Sequence, residues 1–160
     1  VEKGVRTVCT EGILAGYRVT DVKADFYDGK MHPVDSKDIA FQVAGYHAFK
    51  EAFQAAVPCL LEPIYTVSVT VPEEYLGAVM GDLSSRRGHI LGVDIDGHFQ
   101  VVRAQVPQKE LYHYSTIVRS LTSGRGRHAE NFSHYAEVPA EFAQKLLAEA
   151  KARRETGNGK

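Results

Sequence analysis

The sequence predicts an α+β fold made of two small α/β-sandwich domains and a C-terminal helix. Three observations carry that reading. From Tyr65 onward, strand-like alternation and helical three- and four-residue periods follow one another in the order β-α-β-β-α-β. The stretch Val57-Pro58-Cys59-Leu60-Leu61-Glu62-Pro63 has two prolines and no helical period, so it divides the chain. Beyond Pro139 the residues are rich in Ala, Glu and Lys, with Phe142, Leu146 and Leu147 among them, until a polar tail at Gly157-Asn158-Gly159. The expected domains are residues 1–60 and 61–138, followed by the helix and tail over 139–160.

In order, Val1, Val5 and Val8 are spaced as on a helix that closes at Gly12. Val22, Ala24 and Phe26 then alternate with Asp21, Lys23 and Asp25, which predicts a half-buried strand from Val19 to Tyr27. A polar turn at Asp28-Gly29-Lys30 leads through His32-Pro33 to a helix capped by Asp35-Ser36. Ile39, Val43, Tyr46, Phe49 and Phe53 give that helix one apolar stripe. In the second half, Tyr65, Val67, Val69 and Val71 form a strand, and Pro72-Glu73-Glu74 opens a helix buried through Leu76, Val79, Met80 and Leu83. Two strands, Ile90–Val93 and Phe99–Val106, turn around Asp96-Gly97. Pro107 precedes a helix carrying Leu111, Tyr114, Val118 and Leu121, and a weaker strand runs from Arg127 to Tyr135. Such a split βαβ order defines a ferredoxin-like domain.

Composition narrows the function. Hydrophobic residues make up 44% of the 160 and charged residues 24%, enough apolar content for a core, with net charge −1. A near-neutral chain is no polybasic coat, although a few placed cations can still meet a nucleic acid. Cys9 and Cys59 have no metal-type spacing and read as two buried thiols in a reducing, cytoplasmic setting. No apolar run approaches a membrane span. The chain opens inside a helical pattern without an initiator Met, as a piece of a longer protein would.

Catalysis finds no footing: there is no Gly-x-x-x-x-Gly-Lys-Ser/Thr loop and no nucleophile elbow, and the seven histidines lack paired ligand spacing. This chain is therefore expected to be neither an enzyme nor a metal site. Arginines stand out instead. Arg86-Arg87-Gly88 and Arg119…Gly124-Arg125-Gly126 put guanidinium groups at corresponding helix ends of a repeated unit, where they could grip RNA phosphate or merely complement two helix C-termini. Lys30 and His32 add a cation and a ring at the projecting turn, which could equally be an ordinary solvated corner.

These residues also form an ordered series. Asp28-Gly29-Lys30-Met31-His32-Pro33-Val34-Asp35-Ser36, Ala40-Phe41 and Ala48-Phe49-Lys50-Glu51-Ala52-Phe53 resemble the end of domain IV of bacterial elongation factor G, a translational GTPase. Leu61-Glu62-Pro63-Ile64 resembles the passage into domain V. Pro72-Glu73-Glu74-Tyr75, Gly81-Asp82-Leu83, Arg86-Arg87-Gly88, Arg119-Ser120-Leu121-Thr122, Gly124-Arg125-Gly126 and Phe132-Ser133-His134-Tyr135 resemble domain V in order. The resemblance covers about residues 1 to 139.

It implies that residues 1–60 are part of a left-handed βαβ, ribosomal-protein-like domain, and that the chain is the ribosome-binding end of a factor promoting tRNA–mRNA translocation. Asp28, Gly29, Lys30, His32, Asp35 and Ser36 would then form an RNA-binding tip in the decoding region. Arg86, Arg87, Gly88, Arg119, Gly124, Arg125 and Gly126 would contact ribosomal RNA. GTP and magnesium would belong to GTPase domains upstream, with no cofactor in this segment. Two other readings stay open: a ribosome-protection or rescue factor of the same family, and a stand-alone RNA-binding module. Where family members commonly read Gly-Tyr-Ala-Thr-Asp-Leu-Arg-Ser, this chain has His113-Tyr114-Ser115-Thr116-Ile117-Val118-Arg119-Ser120, and Arg127-His128-Ala129-Glu130-Asn131 replaces a more apolar strand, as in a divergent member.

Overall fold

The computed structural model describes residues 1–31 and 37–157. They fall into two compact units, Val1–Leu60 with Pro139–Lys160, and Leu61–Val138.

In the first unit, α1 (Glu2–Glu11) packs on α2 (Asp38–Ala55), and α5 (Ala140–Gly157) is grouped with them. Gly12 ends α1 at φ 75° and donates its N–H to Val8 O at 2.9 Å. The two helices cross at glycines. A Cβ on Gly4 would stand 2.0 Å from the Gln42 carbonyl oxygen, and one on Gly45 2.8 Å from that of Val1. Backbones come this close because at each approach one of the two residues is a glycine, with no Cβ to hold the helices apart. Across the same crossing the Tyr46 hydroxyl donates to the Glu11 carboxylate at 3.1 Å.

Several expectations for this unit are corrected. Val19–Tyr27 forms no strand: Val19 N–H reaches Cys9 O at 2.8 Å, and Phe26 is 68% exposed. Strands are held by a neighbour's backbone groups, and the described residues of this unit include no other strand. For the same reason the stripe of α2 is bare at its start, with Ile39 and Val43 exposed while the buried position is Gly45. The α2 N-cap is Lys37, without a side-chain cap bond, and the Asp35-Ser36 pair expected to cap this helix lies outside the described residues. Cys59 is exposed and Cys9 half-buried, so neither is the buried thiol expected.

The second unit is the β-α-β-β-α-β domain. Strands β1 (Leu61–Pro72), β2 (His89–Asp96), β3 (Phe99–Pro107) and β4 (Arg127–Glu137) form an antiparallel sheet in the order β2-β3-β1-β4. Helices α3 (Leu76–Ser85) and α4 (Tyr114–Leu121) supply its cover. Alternation sends Val67, Val69 and Val71 of β1 and Val102, Ala104 and Val106 of β3 to one face, all fully buried beneath Val79 and Leu83 of α3 and Tyr114 and Val118 of α4. Each fully buried valine or leucine stabilises by roughly 1.5–3 kcal/mol, so this layer dominates the unit. Pro72 and Pro107 each end a strand and cap a short 3-10 turn, Glu73–Tyr75 and Gln108–Leu111, ahead of the following helix. Pro63 is tolerated inside β1 because β1 pairs only with β4 there; pairing with β3 starts at Ile64. Asp96 opposite Phe99 closes the β2–β3 hairpin through Gly97, at φ 60°, and His98.

Candidate nucleic-acid interface

Both helices of the second unit stop by the same local device. At the end of α3, Gly88 N–H bonds Leu83 O at 2.9 Å and Arg87 N–H bonds Ser84 O at 3.2 Å, with Arg87 at φ 61°. At the end of α4, Gly124 N–H bonds Arg119 O at 2.7 Å, with Ser123 at φ 51° and Gly124 at φ 81°. These are Schellman-type ends, in which a left-handed residue turns the chain back onto the last helical carbonyls. The left-handed place after α3 belongs to Arg87. Gly88 is required for another reason: a Cβ there would stand 2.4 Å from Leu83 O.

The two arginine-bearing ends do not form one patch. Arg86, at the end of α3, donates to the carbonyl of Glu110 at 2.9 Å and lies over the Tyr114 ring, 5.1 Å from its centroid, which is the start of α4. Arg125, past the end of α4, reaches Glu74 and Tyr75, at the start of α3. The helices therefore run antiparallel. Their C-terminal ends lie at opposite ends of the layer, roughly 15 Å apart by the length of α3. The two ends recur as a repeat without lying side by side.

The side chains differ in availability. Arg86 is held by Asp82, with Nε to Oδ2 at 2.9 Å and Nη2 to Oδ1 at 3.3 Å, and this bonding raises its pKa. Arg87 forks onto Glu62, Nη1 donating to Oε2 at 3.0 Å and Nη2 to Oε1. Both pairs are largely covered, at 15–23% side-chain exposure, so these arginines hold β1, α3 and the start of α4 together. Arg119 and Arg127 are exposed and have no side-chain partner among the described residues. Arg125 is 54% exposed; its Nη2 lies 2.5 Å from both Glu74 Oε1 and the Tyr75 hydroxyl, and its guanidinium 4.9 Å from the Tyr75 ring centroid. The hydrogen bond to Tyr75, then the Glu74 charge, raise its pKa.

The α4–β4 corner thus gathers Arg119, Arg125 and Arg127 around a turn of exposed backbone. Gly124 leaves open space where a Cβ would be, while Gly126 is buried, and a Cβ there would meet Thr122 Oγ1 at 2.6 Å. Thr122, which sequence reasoning did not single out, locks the corner from inside. Its hydroxyl donates to Val118 O at 2.7 Å and accepts from Gly126 N–H at 2.7 Å, fully buried. Glu62, Glu74, Tyr75 and Asp82 were also missed as partners; the four-residue spacing of Asp82 and Arg86 could have shown that pair, whereas only the fold brings Glu62 to Arg87 and Glu74 and Tyr75 to Arg125.

At the other candidate site, Asp28, Gly29 and Lys30 are exposed, and Gly29 N–H bonds Asp28 Oδ1 at 2.7 Å. His32, Asp35 and Ser36 lie outside the described residues. Among the described residues, no group of three or more His, Cys, Asp or Glu is placed to hold a metal ion, and no helix is long and apolar enough to cross a membrane.

Residues 1–57 match the family model for elongation factor G, domain IV, and residues 59–146 the model for the elongation factor G C-terminus. The elongation factor G of Aquifex pyrophilus is 54% identical over 152 residues, 95% of this chain and 22% of that protein. A crystal structure of a Thermus thermophilus protein superposes with TM-score 0.85 at 44% identity, covering 94% of this chain and 23% of that one. The chain spans about a fifth of the length of these relatives.

Proposed function

This chain belongs to the elongation factor G family, of which it carries domain IV and C-terminal sequence, and from that premise we propose that it is the ribosome-binding end of a GTPase that promotes tRNA–mRNA translocation. The single observation that carries the proposal is the match of both family segments, in order, along nearly the whole chain. GTP hydrolysis belongs in this reading to a separate GTPase domain, with its GTP and magnesium; this chain's part is to bind and to hold position.

The two sites divide the work. The α4–β4 corner meets ribosomal RNA backbone through Arg119, Arg125 and Arg127, and guanidinium groups suit phosphate because their forked donors match its oxygens. The turn at Asp28, Gly29 and Lys30, with His32, Asp35 and Ser36, enters the decoding region and obstructs the return of tRNA and mRNA by its bulk. Arg86, Arg87, Gly88 and Gly126 serve this interface indirectly, by fixing the frame. Work of this kind takes place in the cytoplasm, where ribosomes are.

The test is single-turnover translocation with His32→Ala in the full-length protein, beside its ribosome-stimulated GTPase rate. Translocation is expected to slow at least tenfold, about 1.4 kcal/mol of barrier, while GTP turnover stays near wild type. Equal translocation rates would remove the role given to the tip.

A further inference from the structure

We infer that the Glu74 carboxylate is a built-in competitor for the place at Arg125 where an RNA phosphate binds, so that contact at this corner proceeds by exchange of one anion for another. The inference rests on the proposed RNA contact of the α4–β4 corner and adds its regulation.

The geometry is specific. Glu74 Oε1 lies 2.5 Å from Arg125 Nη2, an ion pair between groups distant in sequence, one in the 3-10 turn before α3 and the other just past the end of α4. A carboxylate presents two oxygens to a guanidinium much as a phosphate does, so the two anions compete for the same donors. Both side chains are more than half exposed, 54% and 57%, so the pair can open without unpacking the core. Exposed ion pairs are weakly held, which makes exchange easy.

Tyr75 keeps Arg125 in place whichever anion is bound. Its ring faces the guanidinium at 4.9 Å, and its hydroxyl accepts from Arg125 Nη2 at 2.5 Å and lies 3.4 Å from Ser123 Oγ. Arg125 is therefore presented on a fixed platform while its counter-charge is replaceable. The effect is to lower attraction for arbitrary polyanions, because each phosphate at this position must displace Glu74. Arg119 and Arg127, with no side-chain partner among the described residues, carry no such cost. Arg87 is the contrast: its carboxylate partner is a covered fork, which resists exchange.

The experiment titrates the full-length protein with purified 70S ribosomes at several salt concentrations. It compares Glu74→Gln, Glu73→Gln, Arg125→Ala and the Glu74→Gln/Arg125→Ala pair, with thermal melts confirming that each variant folds. Glu73 is the neighbouring exposed acid, outside the Arg125 ion pair, so its loss changes net charge equally. Glu74→Gln is expected to tighten binding about two- to fivefold. Glu73→Gln should leave it near wild type, and the gain should vanish in the Arg125→Ala background. Equal tightening by both glutamine variants, or a gain that survives without Arg125, overturns the competitor as a general charge effect. Weaker binding by Arg125→Ala with no gain from Glu74→Gln also overturns it, yet leaves the RNA contact standing. An Arg125→Ala variant that binds like wild type removes the contact and the competitor together.

Discussion

Tyr114, the first residue of α4, packs against the end of α3, its hydroxyl buried near Asp82 and making no hydrogen bond to the described residues. Burial pushes its phenol up from the usual value, the Asp82 charge adds to this, and Arg86 opposes it. The folded value lies above the unfolded one of about 10, so the neutral ring's contribution is complete below that pH and is lost as pH rises past it. Tyr114→Phe should therefore raise stability at neutral pH by about 1 kcal/mol and flatten the alkaline limb, as read by urea melts at pH 7 and pH 11. A loss at pH 7 would show that the hydroxyl is paired after all. His113, one residue earlier, stands at φ 55°, a strained conformation for an L side chain. His113→Gly should gain about 0.5–1 kcal/mol in the same melts, reduced by loss of the ring contact with Tyr112 at 4.0 Å. The sequence displayed the departure at His113, but only the backbone angle gives it a cost.

At the scale of elements, patterning was a sound guide to the strands, helices and core of the second unit. Inward valines of β1 and β3, the prolines before α3 and α4, and the Asp96-Gly97 hairpin were all legible because each depends on local period or turn chemistry. Val19–Tyr27 was misread because alternation describes what a strand needs on its two faces and says nothing of a neighbour to bond. Glycines in helices divide in the same way. Gly4 lies against the Gln42 carbonyl, whereas a Cβ on Gly77 of α3 would meet nothing within 4 Å. Gly4→Ala should cost about 2 kcal/mol or more by forcing α1 off α2, and Gly77→Ala should gain about 0.5–1 kcal/mol from helix propensity. Chemical melts of the two variants check the pair, and opposite signs are required.

Across the molecule, a net charge of −1 means that attraction to RNA must come from local placement. The paired Arg-Gly motifs were visible in sequence, yet whether Arg87 and Arg125 face water or a carboxylate was not, because Glu62 and Glu74 pair with them through the fold; only Asp82, four residues before Arg86, is a local partner. Antiparallel α3 and α4 put the motifs at opposite ends, and the proposed interface is the α4–β4 corner. The most direct test is the salt dependence of ribosome binding for wild type, Arg119→Ala and Arg87→Ala, plotted as log affinity against log salt. Arg119→Ala should flatten the slope by about 0.7–0.9, the share of one phosphate contact, while Arg87→Ala lowers the melting temperature and leaves the slope unchanged. A slope that ignores Arg119 and falls with Arg87 would contradict the assignment of this corner.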